Sequence, residues 1–461
     1  MSEPWLGDAC SLVDAMRAGE ISPIEALEAS LKAIENSQLN AFSFLDADAA
    51  RERATTANTG LPFGGVPVGI KELDRIEGWP YDEASLVFKD RKATYTSTWA
   101  ERLLAAGANP VGLCTASEFG GLNVSVSKLN GITGNAWDAT KTAGGSSGGS
   151  SAAVAGGLVP IASGGDGGGS IRIPAAFNGL LGMKGTAGRI PRGPQTEIAP
   201  MTVVLGCQAR SVRDVARWYD VCAGHDARDP YSLPKIDGWE RNLGTSDLRG
   251  LRAVISPNLG TAIVRDEVAE AVSEAGEQLA KDTGLELIDV PVKMPEMGYE
   301  WAVSNLVQLH RELAGLWPEC KDLLTDEIAF GLTISEQTFN LEIAGRVEEQ
   351  RTAANETMAS VFDHVDLIIS ATNPDVAYPA HVTVNTRVAG QNVGVENNGA
   401  LTIPANIVGN PAVSIPVGAV DELPVGMQVI GRHHTDASLL DLALAVERER
   451  PWPLVAPGAP V

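Results

Sequence analysis

Apolar residues near the start of the chain recur with the spacing of an α-helix. Ile24, Leu27, Leu31 and Ile34 lie three or four residues apart, so they share one helical face. The preceding Ser22-Pro23-Ile24-Glu25 has the form of a capping box, with proline at the first helical position. The pattern predicts an amphipathic helix that begins after Ser22.

Later in the chain, apolar runs alternate with helical patterns. Residues 252–256 and 285–290 have the composition of strands, and the segment between them places Val264, Val268, Val272 and Leu279 on one helical face. A strand, a helix and a second strand in this order predict a βαβ unit with parallel strands. Further strands are predicted at 158–162, 367–370, 413–417 and 427–430.

The C-terminal region closes the pattern. Thr435 is predicted to cap a last helix with apolar residues at 439, 440, 442 and 446, and the proline-rich tail from Pro451 is predicted to be extended. No repeat, charge block or clear linker divides the sequence. Residues 1–461 are therefore predicted to form one large α/β domain.

Composition supports a globular protein. Hydrophobic residues make up 44% and charged residues 20% of the 461 residues, which excludes wholesale disorder. No stretch approaches the roughly 20 apolar residues of a membrane helix. The start, Met1-Ser2-Glu3-Pro4-Trp5, lacks the basic and apolar regions of a signal peptide, so a cytoplasmic location is expected.

Charge and cysteine usage narrow the function classes. A net charge of −23 argues against nucleic acid or an anionic membrane as the main partner. The five cysteines and six histidines are scattered without metal-ligand spacing, so neither disulfides nor a zinc site are expected. The sequence predicts no metal and no cofactor.

Two glycine-rich segments, 144–151 and 164–173, carry the first sign of chemistry. A flexible linker is disfavoured because apolar residues fill the interval between them. Glycine here suits positive φ angles and close approach of backbone amides to a ligand. The amides of Gly167, Gly168, Gly169 and Ser170 are predicted to form an anion-holding nest. Phosphate is the weaker choice of anion, because the sequence has no P-loop and no complete GxGxxG motif.

A serine nucleophile is the stronger alternative, but its setting is unusual. Residues 144–148 formally match the GxSxG nucleophile elbow, yet the preceding residues 138–143 do not resemble the strand that an elbow requires. Lys71 lies in the apolar, glycine-bounded run 65–72. Taken alone, it would be an ordinary lysine at the end of a strand.

Together, these segments resemble the amidase signature family over nearly the whole chain. The family's Gly-Gly-Ser-Ser-Gly-Gly-Ser run corresponds to residues 144–150, and its Gly-Gly-Ser-Ile-Arg-Ile-Pro run to residues 168–174. Segments 17–23, 175–184, 409–416 and 423–428 also match. The sequence departs from the family pattern at Glu72, Gly185 and Cys207. These positions are expected to change the conformation of local loops and not the activity. The resemblance implies an α/β fold with a large mixed β-sheet covered by helices on both faces.

The resemblance also implies the site. It assigns Ser170 as nucleophile, Ser146 as a second serine held by a cis peptide bond after Gly145, and Lys71 as base. Burial among apolar neighbours lowers the pKa of a lysine, so that it can accept a proton. The amides of residues 167–170 would then form the oxyanion hole. Asp166 and Arg172 are expected to support this loop.

Three functions remain open. The first is an amidase that hydrolyses a small amide and also accepts aryl ester or carbamate (urethane) bonds. Such an enzyme could form a homodimer. The second is the A subunit of a glutamine-dependent tRNA amidotransferase. The third is a catalytically silent binding protein, which the intact Lys71, Ser146 and Ser170 argue against. Aromatic and apolar residues of the region 297–339 are expected in the core, or else in an acyl or aryl pocket: Trp301, Leu309, Trp317, Phe330 and Phe339.

Overall fold

The computed structural model describes residues 3–196, 202–297, 299–457 and 459. In these ranges the strands are β1 (Phe42–Leu45), β2 (Pro67–Lys71), β3 (Asn109–Cys114), β4 (Val126–Ser127), β5 (Gly131–Ile132), β6 (Ile161–Asp166), β7 (Leu181–Lys184), β8 (Val204–Ala209), β9 (Arg252–Ile255), β10 (Glu286–Leu287), β11 (Leu367–Ala371), β12 (Arg387–Val388), β13 (Gln391–Asn392), β14 (Ala412–Val420) and β15 (Leu423–Gly431).

The helices of the same ranges are α1 (Ala9–Ala18), α2 (Pro23–Asn36), α3 (Ala47–Thr55), α4 (Thr98–Ala105), α5 (Gly148–Ala155), α6 (Arg172–Asn178), α7 (Val212–Cys222), α8 (Asp266–Thr283), α9 (Tyr299–Glu312), α10 (Asp326–Thr338), α11 (Leu341–Phe362), α12 (Ile403–Val408) and α13 (Asp436–Glu449). Short 3-10 turns lie at Pro4–Leu6, Leu86–Phe88, Glu118–Gly120, Lys321–Leu323 and Val395–Asn398. Each of the described helices is too short or too polar to cross a lipid bilayer.

Eleven of the described strands form one mixed sheet in the order β1-β3-β2-β6-β8-β7-β14-β15-β11-β9-β10. Strand β2 pairs in parallel with β3 and β6, and β9 pairs in parallel with β10 and β11. The other neighbouring pairs in this sheet are antiparallel. The mixed α/β sheet implied by the resemblance is confirmed.

Helices cover both faces of this sheet. Successive residues of a strand point to opposite faces, and here they enter different apolar clusters. Leu113 and Ile161 belong to a cluster that includes residues of α4, α7 and α13. Their neighbours Cys114 and Ala162 belong to a second cluster with residues of α2, α3 and α5. The chain's five cysteines are all buried and unpaired.

Most elements predicted from periodicity are present. Helix α2 has the complete capping box between Ser22 and Glu25. Strands β9 and β10 flank α8 and pair in parallel, which confirms the βαβ prediction. Strands were also predicted correctly at β11, β14 and β15, and α13 follows Thr435.

Three boundaries differ from the prediction. Helix α8 begins at Asp266, so Val264 precedes it. Strand β10 is only two residues long, because it lies at the edge of the sheet and has one neighbour. Strand β6 was predicted at 158–162 but occupies Ile161–Asp166, where it continues into the glycine-rich segment. That shift places the end of β6 beside the residues expected to carry the chemistry.

Candidate active site

The site lies where two parallel strands end. Strands β2 and β6 are neighbours, with Val68 opposite Ile161 and Gly69 opposite Ala162. Their last residues, Lys71 and Asp166, therefore meet at the same edge of the sheet. The resemblance predicted both residues as functional, and the sheet topology explains why they converge.

Lys71 lies in a dry environment beside Ser146. Only 3% of its surface is exposed, and its Nζ lies 2.8 Å from Ser146 Oγ. Burial lowers the pKa of Lys71 from 10.5 to about 8, although the carboxyl groups of Asp74, Asp166 and Glu72 act in the opposite direction. A substantial share of this lysine is therefore neutral near pH 8, with a lone pair available to accept a proton from Ser146.

Ser146 belongs to a tightly enclosed loop before α5. The Gly145–Ser146 peptide bond is cis, as the resemblance implies. A side chain at Gly145 would lie 2.5 Å from the backbone nitrogen of Val124, so only glycine has room there. No strand directly precedes this segment in the described chain, which excludes the nucleophile elbow.

Ser170 lies in the loop between β6 and α6, next to the Ser146 loop. The amide of Ser147 donates to the carbonyl oxygen of Ser170 at 3.3 Å, which joins the two loops. Ser170 is 6% exposed and Ser146 3% exposed. The structure therefore brings Lys71, Ser146 and the Ser170 loop together at one buried place.

The four amides expected to hold an oxyanion differ in their hydrogen bonds. The Gly169 amide donates to Asp166 Oδ1 at 2.7 Å. The amides of Gly167, Gly168 and Ser170 donate to no acceptor in the described part of the chain. The amides of Gly167, Gly168 and Ser170 therefore remain as candidate donors to an oxyanion. The Gly169 amide instead stabilises the loop through its hydrogen bond to Asp166. The φ of 127° at Gly169 and the nearby Thr402 leave no room for a side chain there.

Asp166 and Arg172 form a fully buried ion pair under this loop. Arg172 donates through Nε and Nη2 to the two carboxylate oxygens of Asp166, at 3.0 and 2.9 Å. Burial by itself would raise the pKa of Asp166, but the charge and hydrogen bonds of Arg172 hold that pKa well below its usual range. Asn406 adds a donor to the carboxylate at 2.9 Å. The pair is thus a positioning device, since neither partner reaches Lys71 or Ser146 through a hydrogen bond.

We expect Arg172→Met to destabilise the protein by about 3–5 kcal/mol, because it leaves the Asp166 carboxylate buried without its partner. Urea denaturation of the purified variant measures this loss. The double variant Asp166→Asn/Arg172→Met is the control, because removing both charges restores much of the stability. A single variant as stable as the wild type would contradict the role given to the pair.

Three apolar side chains lie close to the glycines near Ser146 and Ser170. A side chain on Gly120 would lie 3.5 Å from Ser146 Oγ and 3.3 Å from Leu73 Cδ1. A Cβ atom on Gly168 would lie 3.3 Å from Ile403. A Cβ atom on Gly121 would lie 2.6 Å from Ile328. Apolar side chains therefore line part of the space beside these loops.

The aromatic candidates of the region 297–339 have different positions. Leu309 and Trp317 belong to an apolar cluster with Phe119 and Ile328, whereas Phe330 is 67% exposed. Phe339 is half-buried, and the side chain of Trp301 lies outside the described residues. The expectation of a core position is confirmed for Leu309, whereas Trp317 is only partly buried and packs against the same cluster.

A large surface cavity lies away from the candidate site. A surface cavity of about 880 Å³ is lined by residues such as Asp8, Arg213, Glu240 and Trp452. None of Lys71, Ser146 and Ser170 lines it. Hydrogen-bond geometry and burial point to the candidate site instead.

Some supporting residues were not found from the sequence. Gln428 and Asn406 accept hydrogen bonds from Arg172, and Thr402 contributes a backbone acceptor at 3.1 Å. Gln428 could have been identified from the sequence, because it is the lone polar residue in the apolar strand β15 and so needs a hydrogen-bond partner. No local pattern distinguishes Asn406, because its partners lie more than 200 residues away.

Comparisons with known proteins identify the family of the chain. The Amidase family model matches residues 25–440. The A subunit of the glutamyl-tRNA(Gln) amidotransferase of Lacticaseibacillus paracasei is 31% identical, covering 97% of this chain and 98% of that protein. The acylamidase of Rhodococcus erythropolis is 30% identical, covering 97% and 96%.

Solved structures are similar over the same length. A bacterial aryl acylamidase of the amidase signature enzymes has a TM-score of 0.87 at 27% identity and covers 98% of both chains. The 6-aminohexanoate cyclic dimer hydrolase, in complex with its substrate, has a TM-score of 0.88 at 27% identity and covers 100% of both chains. With the family model and these relatives spanning almost the whole sequence, the chain belongs to the amidase signature family.

Proposed function

We propose that this protein is an amidase that hydrolyses a neutral carboxylic amide through an acyl-enzyme on Ser170. One observation carries the proposal: a buried lysine with a lowered pKa lies 2.8 Å from the hydroxyl of Ser146, whose loop is bonded to the Ser170 loop. A serine needs a base before it attacks a carbonyl carbon, and this arrangement supplies one.

The proton path follows from these contacts. Neutral Lys71 accepts the proton of Ser146, and Ser146 accepts the proton of Ser170 as Ser170 Oγ attacks the carbonyl carbon. The amides of Gly167, Gly168 and Ser170 hold the developing oxyanion. Each such donor is worth about 2.7–4 kcal/mol in a comparable hydrolase.

Collapse of the tetrahedral intermediate requires the proton to return. The C–N bond breaks as Ser146 passes a proton to the leaving nitrogen and recovers one from the Lys71 ammonium. The amine departs and the acyl group remains on Ser170. Water, activated by the same pair, then attacks the ester and releases the acid.

The pKa of Lys71 sets the expected pH dependence. Only the neutral lysine is a base, so kcat/KM should rise as the pH increases through about 8. The measurement is a pH profile of kcat/KM with a neutral anilide, whose own charge does not change in this range. A profile that is flat between pH 6 and 9 would contradict a lysine base.

The surroundings support an uncharged substrate. Ile403 lies against Gly168 of the Ser170 loop, and Leu73 lies against Gly120, which is close to Ser146. Ile328 lies against the next residue, Gly121. The test is turnover of a panel by the purified single chain: anilides, aliphatic amides, aryl esters and aryl carbamates. Hydrolysis of anilides without a second protein would support the proposal, and failure on every amide would reject it.

A second candidate is the A subunit of a tRNA amidotransferase, because several relatives with 31–33% identity carry that name. Free glutamine has both an ammonium and a carboxylate, and each would need an oppositely charged partner in the pocket. Glutaminase activity, with co-purification of tRNA and a second subunit, would favour this candidate. Turnover of anilides by the isolated chain, without glutaminase activity, would favour the amidase.

Aryl carbamates are proposed as further substrates. Their carbonyl is weakly electrophilic, because both neighbouring heteroatoms donate electrons into it, so cleavage relies on the oxyanion donors and the Ser146–Lys71 pair. The test follows released phenol and free amine together. A single stoichiometric burst of phenol without amine would mean that a carbamoyl group stays on Ser170 and that carbamates inhibit this enzyme.

A further inference from the structure

A buried carboxyl group, that of Asp74, lies in the turn that follows the proposed base. Asp74 is 9% exposed as a residue and follows Lys71 by three positions, in the turn after β2. Its Oδ2 accepts a hydrogen bond from Ser163 Oγ at 2.7 Å. Ser163 lies on β6, the strand that pairs with β2.

Asp74 holds both backbone groups of Lys71. Ser163 Oγ, oriented by Asp74, accepts a hydrogen bond from the Lys71 amide at 2.8 Å. The Asp74 amide donates to the Lys71 carbonyl oxygen, also at 2.8 Å. The N–H and C=O of the lysine are thus fixed through one residue, directly or by way of Ser163.

Three carboxyl groups act on the Lys71 ammonium, and two of them are engaged elsewhere. Asp166 is bound by Arg172. Glu72 accepts hydrogen bonds from the amide of Ala116 and from Asn130 Nδ2. The Asp74 side chain accepts a hydrogen bond from Ser163 and forms no ion pair with an arginine among the described residues.

The charge of Asp74 has a definite effect on the lysine. An ionised carboxylate nearby favours the ammonium, so Asp74 keeps the pKa of Lys71 from falling further. Burial raises the pKa of Asp74 itself to about 6, against the Ser163 hydrogen bond and the charge of Lys71. Asp74 is therefore ionised across the range in which Lys71 loses its proton.

We propose that Asp74 is a positioning residue for the Lys71 base, which it orients through Ser163 and whose protonation it tunes by its charge. This inference rests on the proposed amidase function. It assigns a task to two residues, Asp74 and Ser163, that form no hydrogen bond with Ser146 in the described structure and take no part in the proton path itself.

The test compares Asp74→Asn and Ser163→Ala with the wild type on 4-nitroacetanilide, across a pH series. Asp74→Asn keeps an acceptor for Ser163 but removes the charge. We expect its acid limb of kcat/KM to move to lower pH by roughly one unit, with KM unchanged. Ser163→Ala removes the link to the Lys71 amide, and we expect kcat to fall about tenfold or more, again with KM unchanged.

A matched control is Ser30→Ala, which removes another buried serine hydroxyl, from α2, an element with no residue in the site. It should behave as the wild type. A merely structural role for Asp74 would lower activity equally at all pH values and leave the acid limb in place. If Asp74→Asn does not fold, Ser163→Ala carries the test alone.

Either an Asp74→Asn acid limb at the wild-type pH or a wild-type kcat in Ser163→Ala would overturn the inference. If the proposed function itself is wrong, the wild type will hydrolyse no amide, and this is seen before any variant is measured. The two failures are therefore distinguishable in one set of measurements.

Discussion

Ser170→Ala is expected to abolish amide hydrolysis while the protein remains folded. The substitution removes one oxygen atom from a loop held by Asp166 and Arg172, so the fold keeps its supports. It also removes the atom that we propose forms the acyl bond, and comparable nucleophile deletions cost about 10⁶-fold in kcat. Turnover of an anilide by wild type and variant at matched concentrations measures the effect.

Two further observations make this result specific. Thermal unfolding of the variant should match that of the wild type. Intact-mass measurement with a slow aryl ester should detect an acyl adduct on the wild type and none on the variant. Residual activity above a tenth of wild type would disprove the assignment, since a tenfold loss is only about 1.4 kcal/mol of barrier and too little for a lost covalent pathway.

Lys71→Ala is expected to lower amide turnover steeply at neutral pH, and ester turnover much less. An amine leaving group needs the proton that Lys71 returns through Ser146, whereas a nitrophenolate departs without one. Paired substrates with the same acyl group, 4-nitroacetanilide and 4-nitrophenyl acetate, measure the difference. The result is expressed as the fold loss of amide turnover divided by the fold loss of ester turnover.

Lys71→Met controls for packing, because methionine fills the buried space that alanine leaves empty. The two variants should show the same preference for the ester. Equal losses on amide and ester in both variants would contradict the return of the proton from Lys71 to the leaving group.

The sequence predicted the fold best where periodicity is local. The helix after Ser22 and the βαβ unit around α8 were predictable because their apolar spacing is complete within a short window. Strand β6 was misplaced because Ser163, Gly164 and Gly165 carry little β signal. Their strand conformation comes from pairing with β8, about 40 residues later in the chain.

The candidate site was predicted by resemblance rather than by spacing. Lys71 and Ser146 are 75 positions apart, and nothing between them encodes their contact. The contact between Asp74 and Ser163 was not predicted for the same reason, since their hydrogen bond joins the turn after one strand to the middle of the neighbouring strand. Such pairs become visible only when the register of β2 against β6 is known.

The buried base also has a thermodynamic consequence. A pKa lowered from 10.5 to about 8 means that the folded state binds this proton less well than the unfolded chain does. Below pH 8 the lysine therefore opposes folding by about 3 kcal/mol, a penalty that fades as the pH rises towards 10.5. Laboratory selection for thermal stability alone would accordingly favour replacement of Lys71 by an apolar residue, and only selection for turnover would retain it.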